Sequence, residues 1–338
     1  MSRRRADSIF YEGYYLLHAV GDRVAAALAL RRYLGLGRGH HHGAAERELR
    51  ALEASLAADE RSELAADSAR VELASQPRSL LRRLVELFVY PCWAPVMPFP
   101  PARVARHEDV RIRARDGVWL HGRYYPCPDE LAAPLGRPRP TVLFFHGNGG
   151  DVKRWRSIGS RWQDAVGAHV LVVDYRGYGR SEGWPSEPGL ALDARAAYRF
   201  VRTARGVDPS RLLLAGQSLG GAIAVELATS GHPHAALVLE STFTSLAAVL
   251  DRLFLGLPAG RLLPSAYPSR ERLEGYAQPL FVSHGTWDLL IPPAHGAGLV
   301  EVAAGPKDLL LLPRMGHHDR RGSTYGEALQ AFLRRSLA

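Results

Sequence analysis

Lysine is nearly missing from this chain of 338 residues; Lys153 and Lys307 are the only two, and arginine supplies almost all of the basic excess behind a formal charge of +9. That arginine is spread evenly. It forms no dense basic stripe with interleaved aromatics, so nucleic acid is not an expected partner. Attraction to an anionic membrane surface is the alternative that the charge leaves open. Cysteine is as scarce. Cys92 and Cys127 make no disulfide framework and cannot furnish an all-thiolate zinc site, although a single bridge stays open. The cytoplasm is therefore the default compartment, with peripheral membrane association as the alternative. Long uninterrupted apolar runs are lacking too. Met1-Ser2-Arg3-Arg4-Arg5 resembles a basic leader, but Asp7, Glu12, Asp22 and Arg23 interrupt the stretch after it. The apolar stretch from Leu84 to Pro100 carries four prolines and Glu86 and is short for a spanning helix; it reads as a buried or interfacial connector. Disorder is excluded by a hydrophobic fraction of 46%, which can build a large core.

Two regimes succeed one another along the chain. Residues 1–100 form a helical N-terminal region, with Tyr14 to Leu34 expected as one helix. A Gly/His break covers Gly37 to Gly43, Ala44 to Leu73 is expected as a second helix, and Leu80 to Val89 as a third. Such helices must bury their apolar sides on each other, on the rest of the chain or on a second copy, so a homo-oligomer through them is one option. His40-His41-His42 sets three imidazoles side by side, which could bind metal. The preferred reading is an exposed loop, since no cysteine is near and Glu46 opens the next helix.

Residues 108–338 alternate strand with helix. Val110 to Ala114 and Val118 to Tyr125 read as a hairpin through Asp116-Gly117. Short apolar runs come next at Thr141–Phe145, His169–Val173, Arg211–Ala215, Ala235–Leu239, Pro279–Ser283 and Asp308–Leu312. Helical stretches at Trp155–Ala165, Ala191–Thr203, Gly220–Ala228 and Tyr325–Leu337 separate or follow them. That rhythm implies an α/β fold: a mainly parallel sheet with helices on both faces and reactive residues past the strand C-termini.

The strongest motif is Gly216-Gln217-Ser218-Leu219-Gly220, which leaves an apolar strand and enters a helix. A nucleophile elbow requires this context, and it holds the Ser218 hydroxyl exposed on a tight corner. A serine needs a base. His317 comes after the last strand and directly after Gly316, which could let the loop turn its ring toward the elbow; His318 is the rival. The base needs an orienting carboxylate. Asp288 lies just past another strand and gives the order Ser, Asp, His expected of this fold. Glu240 is a second candidate acid, with hydrogen bonding to the elbow loop as its plainer role, and Asp174 and Asp319 read as scaffolding. The backbone N–H groups of Asn148, in the glycine-rich loop His146-Gly147-Asn148-Gly149-Gly150, and of Leu219 are the candidate oxyanion hole. Neither a P-loop ending nor a dinucleotide spacing is present, and neither cofactor nor metal is expected.

With these residues assembled, the chain resembles the α/β-hydrolase superfamily. Within it, it looks like the bud-emergence-type branch, near the α/β-hydrolase-domain-containing proteins of types 13 and 17. His146–Gly150, Asp174-Tyr-Arg-Gly-Tyr-Gly-Arg-Ser181, Gly216–Gly221, Glu240-Ser-Thr-Phe-Thr-Ser245, His284-Gly-Thr-Trp-Asp288 and Gly316-His317 carry the resemblance over about residues 108–338. The branch usually has Ala at Gly149 and Asn at His318, while Asp319 matches it. The resemblance implies a serine hydrolase without choosing a substrate; relatives include esterases, lipid hydrolases, thioesterases and peptidase-like members. In many of them a membrane anchor precedes the domain. The expected activity is hydrolysis of carboxylic esters or thioesters, with a peptidase or amidase as the alternative. A small cap over residues 243–277 would wall the acyl site with Phe254, Leu255, Leu257 and their neighbours.

Overall fold

The computed structural model describes residues 3–20, 22–37, 39–76, 86, 89–91, 103–253, 267–319 and 321–337. The third helix expected over residues 80–89 and the connector over 84–100 lie mostly outside them, as do residues 254–266 of the cap expected over 243–277. The chain divides into two compact units. The first comprises Met1–Pro77 with Arg113–Val118, and the second Arg78–Ile112 with Trp119–Ala338.

The first unit contains α1 (Arg3–Tyr15), a wide π-type turn (Leu16–Val20), α2 (Arg23–Gly35), α3 (His42–Ser55) and α4 (Ala58–Ser75). The single helix expected from Tyr14 to Leu34 is instead broken before Arg23. Asp22 accepts the Ala25 N–H at 2.8 Å and starts a new helix there. The helix expected from Ala44 to Leu73 is likewise two. Leu56 is extended and buried between α3 and α4, and Glu60 reaches back to the Ala57 N–H at 2.8 Å. α2 is central: Val24, Ala26, Ala27 and Leu28 pack with Leu52, Leu56 and Leu64. Arg115 donates at 2.7 Å to both the fully buried Asp67 and Glu63. The three histidines turn to separate partners. His40 pairs with Asp7 at 2.9 Å, His41 stacks on Phe10, and His42 sits 3.5 Å from Glu46 inside α3. Among the described residues no helix is long and apolar enough to cross a membrane.

In the second unit, eight strands form one sheet. They are β1 (Glu108–Arg113), β2 (Trp119–Tyr125), β3 (Thr141–Phe145), β4 (His169–Val173), β5 (Leu212–Gln217), β6 (Ala236–Glu240), β7 (Leu280–Gly285) and β8 (Lys307–Leu312). Their order is β1-β2-β4-β3-β5-β6-β7-β8. β2 runs antiparallel to β4, and β3 to β8 are mutually parallel. The helices are α5 (Ile158–Val166), α6 (Glu187–Thr203), α7 (Leu219–Ala228), α8 (Leu246–Leu253), the single turn α9 (Ser269–Arg272), α10 (Ala294–Val302) and α11 (Ser323–Ser336). β3, β5 and β6 are buried at every residue, which is why they read as continuous apolar runs without alternation. On one face Val142, Phe144, Val172, Leu213 and Val238 meet Trp162 of α5 and Leu329 and Phe332 of α11. α6 and α7 pack together, and α7 lies along β3, β5 and β6. Each such Leu, Val or Phe contributes about 1.5–3 kcal/mol by leaving water. The α/β-hydrolase fold expected from the sequence is the fold observed.

Candidate active site

β5 delivers Ser218 at the sheet's centre. Its backbone has φ 55° and ψ −122°, a conformation costly for a side-chain-bearing residue. Flanking glycines permit it. A Cβ on Gly216 would stand 2.1 Å from the Gly220 carbonyl oxygen, and one on Gly220 2.0 Å from that of Phe145. The turn is pinned from β6, whose Glu240 carbonyl accepts the Ser218 N–H at 3.0 Å. Leu219 is the first residue of α7, where a backbone N–H has no partner within the helix.

His317 and Asp288 come together from the loops after β8 and β7. Nδ1 of His317 lies 2.7 Å from Oδ2 of Asp288. The other oxygen of Asp288 accepts the N–H groups of Leu290 and Ile291 at 3.1 and 2.8 Å. Burial pushes the Asp288 carboxyl up, but hydrogen bonds from His284 and His317 outweigh it and hold the group well below the usual carboxylate range. An ionised carboxylate only accepts, so Nδ1 of His317 carries the proton that joins the two. His318 is exposed, with its ring edge-on to His317 at 4.8 Å. Partial desolvation of the ring and, after it, the electrostatic effect of neighbouring His317 hold its pKa below the ordinary value.

The freedom expected of Gly316 falls elsewhere. The left-handed residue of the base loop is Arg314, at φ 57°, and a Cβ on Gly316 would meet nothing closer than 3.6 Å. Asp319 accepts the Gly316 N–H at 2.7 Å, the scaffolding role expected of it. Glu240 does not face the base. Its carboxylate receives Tyr325 Oη at 2.5 Å and Arg161 at 2.9 Å, with Arg321 at 3.6 Å, so only its carbonyl serves the elbow.

The loop carrying Asn148 is held from several sides. A Cβ on Gly147 would sit 3.5 Å from that of Ser218, which puts this loop against the nucleophile. The Asn148 side chain is committed: Oδ1 accepts the Tyr178 hydroxyl and Nδ2 donates to the Val89 carbonyl, both at 2.6 Å. Tyr175 donates to the His146 carbonyl at 2.6 Å, and Asp174 accepts the Val152 N–H at 2.7 Å. The Asp174–Ser181 segment is thus a brace for the Asn148 loop. Asp174 has the scaffolding role expected of it, whereas the contacts of Tyr175 and Tyr178 are not read from the sequence, for which the segment's dense polar pattern is the available signal. It also misses His284, fully buried, whose Nε2–H donates to the Ile291 carbonyl at 2.7 Å and steadies the acid loop.

Ser218, Leu219, Asn148, His317 and His318 line one cavity of about 300 Å³. Phe243, Leu246, Val249, Leu250, Leu290 and Ile291 supply apolar wall. Ser218, the His317 imidazole held by Asp288 and the residues Asn148 and Leu219 thus border one largely apolar chamber.

Comparison with known proteins agrees. The family model for serine aminopeptidase, S33, matches residues 136–273. The uncharacterised protein Rv2307c of Mycobacterium tuberculosis is 39% identical over 250 residues, covering 73% of this chain and 86% of that protein. The α/β-hydrolase domain-containing protein WAV2 of Arabidopsis thaliana is 31% identical, covering 66% of this chain and 75% of its own length. Among solved structures, an esterase of Pyrococcus furiosus superposes with a TM-score of 0.54 at 20% identity, over 72% of this chain and 99% of that one. The chain is a hydrolase that belongs to the α/β-hydrolase superfamily.

Proposed function

We propose that this chain hydrolyses carboxylic esters or thioesters that carry an apolar acyl group. The observation that carries the reading is the cavity in which Ser218 and His317 face walls of Phe243, Leu246, Val249, Leu250 and Ile291. Nε2 of His317 takes the Ser218 proton as Oγ attacks the acyl carbonyl, while Asp288 holds the imidazolium that results. The N–H groups of Asn148 and Leu219 stabilise the tetrahedral oxyanion. The imidazolium proton then goes to the departing alkoxide or thiolate. Water repeats the cycle on the acyl-enzyme, giving its proton to His317, and Ser218 is restored as the carboxylic acid leaves. Within the superfamily, the motifs His146–Gly150, Asp174–Ser181 and His284–Asp288 support a place in the bud-emergence-type branch.

A peptidase or amidase is the second reading. The serine aminopeptidase model over residues 136–273 favours it. The same residues would act, with an amine as leaving group. The two are separated by kcat/KM on p-nitrophenyl esters and acyl thioesters of graded chain length beside aminoacyl and peptidyl anilides, each run with wild type and Ser218→Ala. The ester reading expects Ser218-dependent turnover that rises with acyl length up to a limit. Turnover of the anilides alone would transfer the assignment to the peptidase.

A further inference from the structure

We propose that Gln217 is a positioning residue, which sets the base against the nucleophile by holding the backbone of His317; the proposal rests on the serine-hydrolase reading above. The Gln217 Nε2–H donates to the His317 carbonyl oxygen at 3.2 Å, across 100 residues of sequence, and the Gln217 residue is 5% exposed. Both ends of this bond matter. Gln217 is the last residue of β5, registered against Glu240 of β6, so its side chain grows from fixed backbone in the middle of the sheet. Ser218 is the next residue along the chain.

Other bonds of the base loop run to the acid loop or stay within the base loop. Trp287 N–H donates to the Met315 carbonyl at 2.9 Å, and Arg314 N–H to the Thr286 hydroxyl at 2.8 Å. Gly316 is held by Asp319 within the loop at 2.7 Å, and the His317 ring by Asp288, also at 2.7 Å. These bonds fix His317 relative to the acid. The Gln217 bond fixes it relative to Ser218. It also sets the peptide plane that leads from His317 into His318, and so keeps the two adjacent rings from exchanging places. A geometric error of about 1 Å between reacting groups can cost about 100-fold in rate, so a tie at this point bears directly on turnover.

The residue type suits this role. The acceptor is a carbonyl, so the holder must donate, and an amide donates at neutral pH whereas an ionised carboxylate only accepts. The reach must match as well, and asparagine would fall short by one carbon–carbon bond, about 1.5 Å. Buried amides are costly when unpaired, which favours one settled conformation.

The test uses the full chain in three forms: wild type, Gln217→Met, which keeps the length and loses the donor, and Gln217→Asn, which keeps the donor and loses the reach. Active sites are titrated to completion with a fluorophosphonate, and kcat and KM on one activated ester are then expressed per titrated site. Both variants are expected to lose about 10- to 100-fold in kcat per site, with KM within about threefold of wild type. Gln217→Asn should be no better than Gln217→Met, because the donor without the reach restores nothing. Where one variant does not fold, the other carries the measurement. The proposal is overturned if kcat per titrated site stays within about twofold of wild type, or if the whole loss lies in the fraction of titratable sites, which is what a merely structural residue would give. Failure of the serine-hydrolase reading itself is distinguishable, because the wild type would then show neither turnover nor titratable sites, or the Ser218→Ala protein of the preceding test would turn over as fast as the wild type.

Discussion

Asp288 and His317 stand 2.7 Å apart, Oδ2 to Nδ1, and the second oxygen of the carboxylate is occupied by two backbone N–H groups of its own loop. The carboxylate is thereby held by its own loop as well as by the imidazole. Replacing Asp288 by Asn leaves the shape and removes the charge that holds the imidazolium. A fall in kcat of about 10⁴ is expected, with KM little changed. Steady-state kinetics on one activated ester measures it, and a loss under about tenfold would count against Asp288.

Glu240 supplies the contrast. It is fully buried among Arg161, Arg321 and Tyr325 and faces away from His317. Glu240→Gln should lower stability by about 3 kcal/mol, because it leaves the buried Arg321 and the partly buried Arg161 uncompensated. Its kcat per folded molecule should remain within about tenfold of wild type. Denaturant titration and kinetics together separate the two roles, and a folded Glu240→Gln protein without turnover would restore Glu240 as the acid.

Both carboxylates are held below their ordinary pKa values. At Asp288 burial works upward and the His284 and His317 hydrogen bonds work downward more strongly; at Glu240 burial is outweighed by Arg161 and Arg321. A depressed folded-state pKa means that stability is present above the unfolded value and lost as pH falls through the folded one. The stability gap between wild type and either neutral variant should therefore be full above about pH 5 and shrink as pH drops below about 4. Urea midpoints at several pH values test this, and a gap that widens in acid would contradict the sign.

The Asn148 side chain is spent on Tyr178 and Val89. Tyr178→Phe removes the hydroxyl that Oδ1 accepts, and Tyr178 is not among the residues lining the cavity. The change should lower kcat by about 10-fold while leaving KM nearly unchanged, since in the proposed mechanism the Asn148 N–H acts on the oxyanion and not on bound substrate. An unchanged kcat in a folded Tyr178→Phe protein would show that the brace is not needed.

Much of this is legible in the sequence, and the exceptions have physical causes. The β3, β5 and β6 strands announce themselves because both faces of a parallel strand are buried. The elbow is readable because strand, glycines and helix are contiguous. The N-terminal helices are shorter than their composition suggests because Asp22 and Leu56 interrupt them without proline; a cap and one extended residue suffice. The unusual backbone of the base loop, expected at Gly316, is adopted by Arg314 instead. The contacts that escape a reading of the sequence join residues apart in the chain: Tyr178 to Asn148, His284 to Ile291 across its own loop, and Gln217 to His317. Periodicity reports which face of an element is buried. It says nothing of which polar groups meet inside.

Ser218 as the attacking group is the claim on which the mechanism depends. The direct measurement is kcat/KM of Ser218→Ala on an ester that the wild type turns over, with the fluorophosphonate adduct of the wild type mapped by mass spectrometry. A nucleophilic Ser218 predicts a fall of at least about 10⁴ in a protein that keeps its Tm, together with an adduct on Ser218 alone. Turnover within about tenfold of wild type with the same acyl preference, or an adduct on another residue, would contradict it.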